Sequence, residues 1–90
     1  MKTIYKYELD SMINKIELPA NYQILRIDLQ KGNPNPQMWC LVNKEMPLVE
    51  RTIAIYGTGF KIEAKTENLH YINTFFEDNM VWHAFEVIYI

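Results

Sequence analysis

Cysteine is all but missing from this 90-residue chain, with Cys40 standing alone. No internal disulfide can form, and nothing points to an oxidising compartment. Serine is as scarce: Ser11 sits in a turn-like stretch without the nucleophile-elbow pattern, which argues against serine hydrolase chemistry. There is no basic run, because nine Lys and Arg are set against eleven Asp and Glu for a formal net charge of −2. Proteins that neutralise phosphates usually show a cationic footprint, so DNA or RNA is not an expected partner. No apolar run approaches bilayer-spanning length, and Met1-Lys-Thr-Ile-Tyr-Lys-Tyr7 lacks the apolar centre of a signal peptide. A cytoplasmic protein with no membrane partner is expected.

What is present is apolar and aromatic: 49% hydrophobic residues, including two Trp, six Tyr and four Phe. That suffices for one packed core, so residues 1–90 read as a single domain. Domains this small bury a modest fraction of their surface, and self-association is a common remedy. The terminal run Val87-Ile-Tyr-Ile90 is apolar to its last residue. An uncovered apolar edge invites pairing, so a homodimer is expected.

Short β-branched and aromatic runs separated by turn residues dominate the pattern. Residues 3–9, 13–18, 22–30, 38–42, 50–56, 70–77 and 80–90 read as strands. Leu25, Ile27 and Leu29 alternate with Arg26, Asp28 and Gln30, the period of a strand with one wet face. Lys31-Gly-Asn-Pro-Asn-Pro-Gln37 is the clearest breaker, since two prolines remove donors and fix φ. Asp78-Asn79 reads as a two-residue hairpin turn. Residues 61–69 are polar, and a loop competes there with a short helical turn at 64–68. The expected fold is mainly β, an antiparallel β-sandwich or small barrel with at most that one helical turn. Leu25, Ile27, Leu29, Leu41, Ile53, Ile55, Phe75, Val81, Phe85 and Val87 form its expected core, and the acidic residues, Glu86 among them, are expected on solvated faces.

Chemistry-bearing residues are few. Gly57-Thr58-Gly59 allows close backbone approach to a ligand, but it lacks the Lys and the following helix of a phosphate loop. A tight turn at a strand end is the plainer reading. His83 lies in an apolar strand and His70 in another, without the spacing of metal ligands, so no metal and no cofactor are expected. Arg51 has the planar fork that suits phosphate or carboxylate. Tyr56 belongs to a tyrosine surplus that leaves room for a binding surface. Cys40, next to Trp39 with no basic neighbour, reads as a small buried hydrophobe.

The opening Met1–Tyr7 segment, Leu18-Pro19, Ile24-Leu25, Trp39-Cys-Leu-Val42, Ile55-Tyr-Gly-Thr-Gly59, Tyr71-Ile-Asn-Thr-Phe75 and Val81-Trp-His-Ala-Phe-Glu86 cover nearly the full length. In order and spacing they resemble a family of short bacteriophage and prophage proteins of unassigned function. In that family the Gly-Thr-Gly turn is often followed by His, where this chain has Phe60; a role resting on that His would be lost or altered here. His83 does match. The resemblance implies a virus-encoded accessory protein, not an enzyme, that binds a bacterial host protein, with a CRISPR or other defence system as target class. The alternative is a protein that sequesters a signalling nucleotide, with Arg51, Tyr56, Gly57, Thr58, Gly59 and His83 contributing to the pocket. A small enzyme using His83 as a base ranks third.

Overall fold

The computed structural model describes residues 1–89. Ile90, the end of the apolar terminal run, lies outside the described residues. Seven strands follow one another: β1 (Lys2–Glu8), β2 (Ile13–Pro19), β3 (Gln23–Asp28), β4 (Gln37–Asn43), β5 (Leu48–Gly57), β6 (Leu69–Glu77) and β7 (Met80–Val87). A 3₁₀ turn at Thr66–Asn68 is the single helical element among the described residues. The strands form two antiparallel sheets, β1-β4-β3 and β2-β5-β7-β6, so the sandwich alternative holds and the closed barrel does not.

The predicted breakers fall between strands. The Asp78–Asn79 turn joins β6 to β7 with Glu77 opposite Met80, and Asp78 takes a left-handed φ of 50°. Asn21, at φ 62°, turns the chain from β2 into β3. Between the sheets lies one core in which Leu9, Leu18, Ile27, Met38, Cys40, Val42, Ile53, Ile55, Phe75 and Ala84 are buried.

β7 alternates as expected, but its inward face is the other one. Trp82 and Ala84 pack into the core, whereas Val81 and Phe85 are only half-buried on the far side. Leu29 and Leu41 are likewise half-buried, and Leu25 is 45% exposed. Leu25 misses the core because the β3–β4 register shifts between Ile24 and Arg26, where it is the extra, unpaired residue. Glu86 corrects a further expectation, for it faces inward opposite Ile53 and is buried.

The far side of the four-stranded sheet carries a second, smaller cluster: Ala54, Tyr56 and Val87 are buried, with Leu69 and Phe85 against them. β5 and β6 both pair antiparallel to β7 from opposite sides, so they run parallel to each other. The connection 58–68 must therefore carry the chain back along β7. It ends beside β7, where Ile88 N–H donates to Asn68 C=O at 2.8 Å.

The sheets are also stitched along one side. A bulge in β6 between Tyr71 and Asn73 puts Ile72 and Asn73 both inward. Asn73 then reaches the edge of β3: its Oδ1 accepts from Ile27 N–H at 2.9 Å and its Nδ2 donates to Ile27 C=O at 2.7 Å. The same slip returns Thr74 to the outer face, opposite His83.

Candidate functional site

β5 has a polar constellation at each end. At its C-terminal end, Gly57-Thr58-Gly59 makes a closed turn in which Phe60 N–H donates to Gly57 C=O at 3.0 Å. Gly59 has a φ of +88°, a left-handed value that side-chain-bearing residues adopt at a cost. A Cβ on Gly57 would lie 2.8 Å from Phe60 Cε1, in a ring that itself stands edge-on to Trp82 at 5.7 Å. The turn thus requires Gly59, whereas a side chain at Gly57 would have to displace the Phe60 ring, and the turn holds Thr58 over β7.

There Thr58 Oγ1 lies 2.8 Å from His83 Nε2 and 3.3 Å from Val81 C=O. On the other side of the ring, His83 Nδ1 is 3.1 Å from Thr74 Oγ1, which is 2.7 Å from the Tyr71 hydroxyl. One proton arrangement satisfies every member with a neutral imidazole. Tyr71 donates to Thr74 and Thr74 to His83 Nδ1, while His83 Nε2–H donates to Thr58 and Thr58 to Val81 C=O. The result is a hydroxyl–imidazole–hydroxyl chain across the outer face, with Thr58 and Tyr71 exposed at its ends.

Thr58 and His83 have the spacing of a nucleophile and a base. The group that orients the imidazole is a hydroxyl, however, not a carboxylate that would stabilise the imidazolium. What the arrangement does supply is a row of fixed donors and acceptors beside exposed aromatic area. Tyr71 is 62% exposed and Phe76 69% exposed, and Phe76 lies opposite Val81 in the hairpin. The Tyr71 ring packs edge-on against Phe85 at 5.8 Å, which holds it in place.

At the other end of β5, Arg51, Tyr22 and Glu86 meet across the gap between the sheets. The Tyr22 hydroxyl donates to Glu86 Oε2, and Arg51 Nε donates to the Tyr22 oxygen at 3.1 Å. Arg51 Nε also stands 3.8 Å from Glu86 Oε2, and the guanidinium lies 5.9 Å from the Tyr22 ring centroid. Burial and then the Glu86 carboxylate push the Tyr22 phenol up to about 12, with Arg51 opposing. Burial, followed by the Glu86 charge, pushes the Cys40 thiol up to about 12, in keeping with an inert core cysteine. An open cleft of about 510 Å³ beside the cluster is lined by Tyr22, Glu50, Arg51 and Tyr89, among others.

Of the residues singled out from sequence, Gly57, Thr58, Gly59 and His83 come together. Tyr56 is the cross-strand neighbour of His83, but its ring lies in the covered cluster, 6.1 Å from Phe85. Arg51 belongs to the other constellation. Thr74, Tyr71, Tyr22 and Glu86 were missed. Thr74 was within reach, because a hairpin turning at 78–79 sets it opposite His83. Tyr71 was not, since the bulge intervenes, and nothing local marks Tyr22 and Glu86 as partners 64 positions apart.

No curated protein and no solved structure matches the chain. A family model described as "Domain of unknown function (DUF7352)" matches residues 1–89, and the chain belongs to that family.

Proposed function

We propose that this domain is a phage-type accessory protein that acts by binding a bacterial host protein, as an inhibitor in anti-defence, and not by catalysis. The observation that carries the reading is the outer face of the β6–β7 hairpin. Two largely exposed aromatic rings, Tyr71 and Phe76, flank the chain from Tyr71 through Thr74 and His83 to Thr58. Aromatic anchors around a few fixed polar groups are the composition of protein-binding hot spots. The resemblance of the Ile-Tyr-Gly-Thr-Gly and Val-Trp-His motifs to short phage and prophage proteins supports the setting.

The test is affinity capture from bacterial lysate with the wild type and with Phe76→Asp, followed by titration of the purified captured protein. Phe76→Asp should abolish capture with the fold intact. Thr58→Ala and His83→Ala should weaken the titrated affinity several-fold, the scale of a hydrogen bond contributing about 0.5–1.5 kcal/mol. Equal capture by the wild type and Phe76→Asp would refute the assignment of this face.

A second reading, sequestration of a signalling nucleotide, is favoured by the cleft where Arg51 and Tyr22 converge with Tyr89. Calorimetric titration with a nucleotide panel separates the two, since binding there would be lost in Arg51→Met and kept in Phe76→Asp.

A further inference from the structure

The four outer strand edges of the sandwich differ in how they are protected. β3 is tied down by the Asn73 side chain, and β6 is broken by the bulge between Tyr71 and Asn73. β2 ends in Pro19, which has no N–H to offer an incoming strand. β1 has no such device. It pairs with β4 on one side in unbroken register from Lys2↔Asn43 to Glu8↔Gln37, and five of its seven residues are exposed. A straight, unpaired edge of this kind is a template for another strand.

We infer that β1 is a self-association edge and that its partner is a second copy of this chain, paired antiparallel about a two-fold axis at Tyr5. Register and charge specify this pairing. Lys2, Ile4, Lys6 and Glu8 share the outer face of their sheet, while Thr3, Tyr5 and Tyr7 share the inner one. Pairing that keeps the two faces aligned can be centred only on a residue. Centred on Tyr5, all seven residues overlap, and Lys2 lies opposite Glu8 of the partner subunit at both ends. Ile4 then faces Lys6 of the partner subunit, and Tyr5 meets its own copy.

Moving the centre to Ile4 sets Lys2 against Lys6 of the partner subunit, and moving it to Lys6 sets that lysine against itself. Like charges directly opposite are destabilising, and centring on Thr3 or Tyr7 leaves only three strand residues overlapping, so charge and overlap together select the Tyr5 register. Lysine on an edge commonly blocks pairing. Here Lys6 Nζ donates to Gln30 Oε1 at 2.7 Å and is held over its own sheet. On the inner face, Tyr5 and Tyr7 stand edge-on at 6.4 Å. The axis at Tyr5 joins this pair to its copy as one aromatic row. The dimer joins two three-stranded sheets into one of six strands. A single strand pair is smaller than a standard interface, so the association is micromolar, not nanomolar.

Sedimentation equilibrium of the full chain, from low to high micromolar concentration, tests this with Lys2→Glu, Glu8→Lys and the double swap. Wild type should dimerise, each single reversal should weaken the dimer about tenfold, and the double swap should restore it. Hydrogen exchange should show β1 amides gaining protection with concentration. A wild type that stays monomeric at high micromolar concentration, or a dimer indifferent to the single reversals, overturns the inference. A double swap that fails to recover association overturns the Tyr5 register.

Discussion

Replacing Asn73 by Ala removes the one side chain that bonds both backbone groups of Ile27, a residue with no exposed surface. Two hydrogen bonds of about 0.5–1.5 kcal/mol each are lost, and the Ile27 N–H and C=O are left at the edge of a filled core. A buried orphan group costs about 1–3 kcal/mol, reduced where water can reach the β3 edge. The sum predicts a loss of about 2–4 kcal/mol, a large part of the stability of a domain this size. The melting temperature should fall by about 10–25 °C, at roughly 4–8 °C per kcal/mol for a domain of this length. Urea unfolding followed by tryptophan fluorescence supplies the free energy directly. Asn73→Asp is the informative companion: it keeps the acceptor for Ile27 N–H but sets a carboxylate against Ile27 C=O, so it should rescue little. An Asn73→Ala protein within about 0.5 kcal/mol of wild type, the range of ordinary surface substitutions, would show that this bridge does not hold the sheets together.

Tyr22, held protonated up to about 12 against an ordinary 10.0, binds its proton in the folded state after the unfolded state has released it. Its contribution is therefore complete below pH 10 and is lost as pH rises towards 12. Burial also raises the Tyr7 phenol, so ultraviolet titration should show late-ionising tyrosines of which the Tyr22 step disappears in Tyr22→Phe; an unchanged titration curve would contradict this environment. Gly57→Ala should destabilise by displacing the Phe60 ring from Trp82, and less so when Phe60 is already Ala. Strict additivity of those two substitutions in thermal melts would rule out the contact as the cause.

Much of the secondary structure was written locally. Alternation marked the strands, Pro34, Pro36 and the Asp78–Asn79 pair marked their ends, and the polarity of 61–69 marked the long connection. Tertiary structure decided which faces turned inward. β7 carries apolar residues on both sides, Trp82 and Ala84 in the core and Phe85 and Val87 in the outer cluster, and period-two alternation says that two faces exist without saying which one meets the other sheet. The two bulges show the same limit: a single extra residue exposed Leu25, and another turned Asn73 into the sheet gap while leaving Thr74 against His83. For the site, Thr58 and His83 were visible as residues but not as neighbours, since 25 positions separate them and only the β5–β7 register closes that distance. Glu86 reads from sequence as a solvated charge, and Arg51 as a free fork for phosphate or carboxylate, for the same reason. The partner of Glu86 inside is Tyr22, from the connection that leads into β3 of the opposite sheet, and no local pattern in the chain records which two sheets will face each other.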